Sequence, residues 1–167
     1  MDSVKQDRHI VVQIIKDFKD IDIFLPNLKK LVKAICNRFG LLKATISIAI
    51  VDDAQIRRVN KQFLNHDCPT DCLSFNLSDD EPIANRESKI ENRKSFELVV
   101  NGEKAVAEAT LRGHLAEAEL ALYITHSLLH NLGFDDSTRD KAKKMHHTED
   151  EILQQQGYGL VYSKDSG

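Results

Sequence analysis

Proline and glycine are scarce in this 167-residue chain, at three and seven residues, which argues against a mainly disordered polypeptide. Cysteine is scarcer than a disulfide framework requires: three residues, an odd number, read as thiols of a reducing compartment. Cys68 and Cys72 stand four apart, but no second Cys or His pair has the spacing of a zinc partner, so both read as ordinary residues. Long hydrophobic runs are missing. The longest, Ile46 to Val51, is far too short to span a bilayer. The charged start, Met1 to His9, has no apolar signal-type core, so a cytoplasmic protein without a membrane partner is expected. Strong net charge is also missing. A formal charge of -3 leaves no global basic field for nucleic acid, so RNA binding would need a local patch or a bound cation.

What is present is an ordinary globular composition, 41% hydrophobic and 29% charged, and a length that makes one domain, expected over residues 1–167. His9 to Ile15 reads as a first strand. A helix is expected from Leu28 to Phe39, capped by Asn27 and stopped at Gly40. Ala44 to Val51 is the clearest strand, and its near-continuous apolar run predicts a central, buried position. Asp52 or Asp53 then caps a helix to Leu64, followed by a strand from Asp71 to Leu77. Ser78 to Lys94 carries nine charged residues and little apolar content, so it reads as a charged surface loop. Phe96 to Asn101 is a fourth strand. Helices over Gly102–Leu111, Leu115–Leu132 and Thr138–Gln156 complete the chain, the last with Ser137 as its start signal. The fold class is α+β: a small mixed four-stranded sheet with helices, one of them central.

The chemistry lies in Ile124 to Asp136. His126 and His130 are four apart on a predicted helix, so both face one point and can meet one ion. Gly133 is placed to end that helix, and a carboxylate a few residues on can reach the same ion. Two imidazoles and one carboxylate are the ligand count of a catalytic zinc site with a position left for water. Apolar neighbours (Leu122, Ile124, Leu128, Leu129, Leu132) strengthen the case, because buried imidazoles need partners. The glutamate that follows the first histidine in zincin proteases is Ser127 here, which argues against peptide hydrolysis by that scheme. His146 and His147 point about 100° apart on the last helix and read as solvated. His114 and His66 read as surface residues, and Arg57, Arg58 and Lys61 as a solvated helix face.

Three blocks resemble the YbeY family of metal-dependent endoribonucleases. The family's metal motif, His-x-x-x-His-x-x-x-x-x-His with Leu-Gly-Tyr/Phe-Asp inside it, appears as His126, His130 and Leu132-Gly133-Phe134-Asp135, with Asp136 in the third ligand position. Its Pro-Thr-Asp-Val-Leu-Ser-Phe block reads Pro69-Thr70-Asp71-Cys72-Leu73-Ser74-Phe75. Its Met-x-x-x-Glu before Ile-Leu matches Met145, Glu149, Ile152 and Leu153. The resemblance runs from about Ile46 to Leu153. It implies one Zn2+ per chain on His126, His130 and Asp136, with Thr70, Asp71 and Ser74 near the ion, holding a phosphate or an outer water. It also implies cleavage of single-stranded RNA in ribosomal RNA maturation, and contact with the ribosome or assembly factors. Three departures stand out: Asp136 replaces a histidine, Leu64 replaces an arginine that follows an aromatic, and Phe96-Glu97 replaces a glycine-aspartate pair. Two other readings remain open at this level: a metal-binding module that docks on ribosomes without cutting, and a metal hydrolase of another substrate.

Overall fold

The structure is a computed structural model that describes residues 8–78, 93–159 and 161. Its elements are β1 (His9–Lys16), α1 (Leu25–Arg38), β2 (Lys43–Val51), α2 (Asp53–Leu64), β3 (Cys72–Asn76), β4 (Arg93–Asn101), α3 (Gly102–Arg112), α4 (Ala116–Asn131) and α5 (Arg139–Gln155). The sheet order is β1-β2-β4-β3. β1 and β4 both pair with β2 in parallel, and β3 pairs with β4 in antiparallel fashion. The fold is therefore α+β with a mixed four-stranded sheet, as its pattern predicts. The apolar run of β2 lies inside the sheet, with Ile46, Ile48 and Ile50 buried on one face and the other face closed only toward Val51.

The two faces carry different loads. Ile46, Ile48 and Ile50 of β2 and Phe96, Leu98 and Val100 of β4 join the main core with Leu28, Leu31, Val32 and Ile35 of α1 and Leu120, Ile124 and Leu128 of α4. The other face is smaller: Val51, Ile56 and Leu73, with Val59, Phe75 and Val99 packed around them beneath α2. Strand alternation sorts β3 accordingly. Leu73 and Phe75 turn toward α2, while Cys72 packs into the main core on the α4 side. Helix α4 is apolar nearly all round, and every residue from Ala118 to Thr125 is buried, as a central helix must be.

Several boundaries differ from expectation for nonlocal reasons. Helix α1 starts at Leu25, not Leu28, and Asn27 does not cap it. Pro26 fits the first turn, where its missing N–H costs nothing. The capping oxygen comes from α4: Glu117 Oε1 accepts the Phe24 N–H at 2.6 Å. Strand β4 starts at Arg93 rather than Phe96, because its parallel register with β2 runs from Lys43↔Arg93 to Val51↔Asn101. Arg93 and Lys94 are thus strand rather than loop, and residues 79–92 of the expected charged loop lie outside the described residues. Thr138, not Ser137, caps α5, accepting from the Lys141 N–H. For α2 the choice resolves to Asp52, which forms a reciprocal capping box with Gln55. Gly102 opens α3 directly after β4. A Cβ there would come within 2.8 Å of Ile50 Cγ2 and of Phe18 Cδ1, so any side chain would force one of these neighbours to shift. Among the described residues no helix is long and apolar enough to cross a membrane.

Candidate metal centre

The site is built at the C-terminal end of α4. His126 and His130 are one turn apart, with ring centroids at 4.6 Å and an interplanar angle of 83°. Their Nε2 atoms are 3.1 Å apart. The chain then reverses in a Schellman turn: Gly133 N–H donates to His130 O at 3.1 Å and Phe134 N–H to Leu129 O at 2.9 Å. Gly133 takes φ +100°, where a side chain would be strained. Phe134 packs edge-on against Phe39, the residue that caps the end of α1, at 5.6 Å between centroids, and pins the returning segment to the core. The return brings Asp136 Oδ2 to 4.0 Å from His130 Nε2.

His126, His130 and Asp136 thus offer three donor atoms within 4.8 Å of one another. The spacing suits a small divalent ion. Tetrahedral bonds of about 2.0–2.2 Å set neighbouring donors about 3.4 Å apart, between the 3.1 Å and 4.0 Å found here. His126 is half-buried, while His130 and Asp136 are exposed, so the donors open toward solvent and a substrate can reach them.

Behind His126 stands a carboxylate to which motif spacing assigns no role. Glu149 of α5 is fully buried. Its Oε1 meets His126 Nδ1 at 2.5 Å and its Oε2 meets His146 Nδ1 at 3.2 Å. One signal could have pointed to it: Glu149 lies in the buried stripe of α5 with Met145, Thr148, Ile152 and Leu153. A charge in that stripe needs a partner. Burial opposes a charge on His126, but the hydrogen bond and field of Glu149, with Asp71 and Asp136, outweigh it and raise the imidazole above its ordinary value.

The other histidines divide. His147 is exposed and 3.8 Å from Glu151. His146 is half-buried against Glu149, so one member of the pair is not solvated. His114 is also not a surface residue. Its side chain is 9% exposed and bonds at 2.6 Å to the buried Glu119, because the turn at Gly113 folds it under α4. His66, Arg57, Arg58 and Lys61 are exposed as expected.

Asp71 is not one of the three clustered donors, and Thr70 and Ser74 lie on either side of it in the chain. They are half-buried at the start of β3. Asp71 Oδ1 accepts from Cys72 N–H at 2.8 Å and from the Thr70 hydroxyl at 3.3 Å. The fully buried Asn101 fastens this segment, donating from its side chain to Thr70 O and from its backbone to Asp71 O. Asp71 contributes to the field that raises His126. Ser74, two residues from Cys72, falls on the α4 side of the sheet by alternation. Leu64 ends α2 and is 48% exposed.

The family model described as Endoribonuclease YbeY matches residues 13–157. The chain belongs to the YbeY family. A protein from Thermoanaerobacter sp. named Endoribonuclease YbeY is 34% identical over 113 residues, covering 65% of this chain and 71% of the relative. One of the same name from Macrococcus caseolyticus is 31% identical over 146 residues, covering 86% and 94%. A third, from Roseiflexus sp., reaches 38% over 114 residues, covering 67% and 70%. A solution structure of a Thermotoga maritima protein superposes with a TM-score of 0.56 at 21% identity, covering 87% of this chain and 91% of that one. That likeness concerns the fold alone. Within the YbeY family motif, the structure adds the local reason for the long spacing after His130: the Schellman turn consumes Leu132 to Phe134 before Asp136 can return.

Proposed function

We propose that this chain, as one unit over residues 1–167, is a metal-dependent endoribonuclease specific for single-stranded RNA, acting in the cytoplasm in ribosomal RNA maturation and ribosome assembly. The observation that carries the reading is the convergence of His126, His130 and Asp136 in a member of an endoribonuclease family. Zinc is the proposed ion, since two imidazoles and a carboxylate match its catalytic ligand sets and leave a position open. When bound, such an ion supplies a Lewis acid for a phosphoryl oxygen and a water acidified toward neutral pH.

The chain's own residues do the rest. His126, backed by the buried Glu149, and the exposed His130 offer nitrogen donors from a rigid helix. Asp136 comes from the turn beyond it and adds negative charge to the donor set. We assign the Thr70 and Ser74 hydroxyls to phosphate or water contact at the edge of the sheet, and Asp71 to the field around His126. With a net charge of -3, the protein has no global basic field to hold a duplex, so we assign selection of an unpaired strand to local contacts. Contact with the ribosome or assembly factors follows from the proposed substrate.

A labelled single-stranded oligoribonucleotide with added zinc or manganese, run beside a duplex and a chelator control, tests the reading. Metal-dependent cleavage of the single strand is expected, and none by His130→Ala. Cleavage that survives chelator or persists in His130→Ala belongs to a contaminant. No cleavage under any metal refutes the nuclease reading and leaves a ribosome-docking module.

A further inference from the structure

We propose that Glu149 is the positioning residue of the centre and that His146 holds Glu149 in place; this rests on reading His126 as a metal ligand. Each carboxylate oxygen has its own imidazole: Oε1 lies 2.5 Å from His126 Nδ1 and Oε2 lies 3.2 Å from His146 Nδ1. A carboxylate only accepts, so His126 Nδ1 carries the proton of that bond and His126 Nε2 is left with its lone pair. That Nε2 is the atom 3.1 Å from His130 Nε2, inside the donor cluster. Glu149 therefore selects the tautomer a cation needs, turns the ring toward the open side, and makes the imidazole a stronger donor.

His146 supplies the second half of the arrangement. Glu149 is fully buried, and a carboxylate with one oxygen unbonded there could rotate about its last torsion. His146 sits three residues earlier on α5, where one turn of helix brings its ring to the second oxygen. The chain His146–Glu149–His126 links a half-buried ring on α5 to the donor ring on α4. Neither residue touches the reacting atoms in this reading, and both act through His126.

The test uses the full chain, with zinc as the probe and calorimetry as the first readout. Glu149→Gln keeps size and hydrogen bonding but removes the charge, and a loss of zinc affinity of about tenfold to a hundredfold is expected. His146→Gln removes a ring that is only half-buried, and a smaller loss is expected. The second readout needs no metal. In nitrogen-correlated NMR of the metal-free protein at pH 8, His126 should show a proton on Nδ1 with a far-downfield shift, and that shift should move upfield in Glu149→Gln. Zinc affinity within twofold of wild type in Glu149→Gln, with the His126 resonance unmoved, overturns the proposal. Should Glu149→Gln not fold, His146→Gln carries the test, and an unchanged His126 resonance with unchanged affinity overturns it. Wild-type protein that binds no zinc refutes the metal reading, while the His126 resonance still decides the role of Glu149.

Discussion

Removing His130 separates the ion from the fold. Its side chain is about one-third exposed, and its polar neighbours are His126 at 3.1 Å and Asp136 at 4.0 Å. Truncation to alanine leaves no buried group unpaired, so the metal-free protein should change by no more than about 0.5 kcal/mol. Zinc at one hundred times its dissociation constant stabilises the native state by about 2.7 kcal/mol. For a domain of this length each kcal/mol moves the melting temperature by about 2–4 °C, so zinc should raise the wild-type Tm by roughly 5–11 °C. A thousandfold weaker site at the same zinc concentration retains less than about 0.1 kcal/mol, and the shift should vanish in His130→Ala. Scanning calorimetry of both proteins, with and without zinc and with chelator, reads the result. His147→Ala, at an exposed histidine outside the cluster, should keep the full shift. The same shift in His130→Ala as in wild type would refute the donor set. His126 is the poorer choice for this test, since its loss strips a partner from the buried Glu149 and should cost the fold itself several kcal/mol.

Burial opposes a charge on His126, but the hydrogen bond and field of Glu149 raise the imidazole above its ordinary value. The stability this imidazole adds to the metal-free protein is full below its unfolded value and is lost as pH rises through the folded one. Zinc needs the neutral ring, so affinity should fall as pH drops through that raised value; equal calorimetric affinity at pH 6 and pH 8 would contradict this. Burial pushes the Cys36 thiol up to about 11, and burial with the Asp71 charge raises Cys72 further, whereas Cys68 is exposed. A disulfide exchange reagent at pH 8 should therefore titrate one thiol in the native protein and three after denaturation; a native count of two or three fails the expectation. Gly102→Ala forces a methyl against Ile50 and Phe18 and should cost about 1–3 kcal/mol by chemical denaturation; an unchanged midpoint would mean that Phe18 yields freely.

Local pattern alone determines the helices and strands of this protein and the pairing of two histidines. Apolar period and caps place every element within a few residues, because each signal lies inside one element. The four-residue step of His126 and His130 is helical geometry and needs no tertiary partner. Asp136 is legible through the family motif, and its return depends on a turn whose glycine is visible in the chain. Tertiary structure decides what depends on distant residues. Glu117 caps α1 from 93 residues away, and the register with β2 carries β4 back to Arg93. Glu149 reaches His126 across 23 residues and two helices; its place in the buried stripe of α5 is legible locally, but the ring it meets is not. His114 reads as a surface residue until its bond to the buried Glu119 is seen. A buried charge is stable only where folding delivers its partner, and that delivery is a property of the packed molecule.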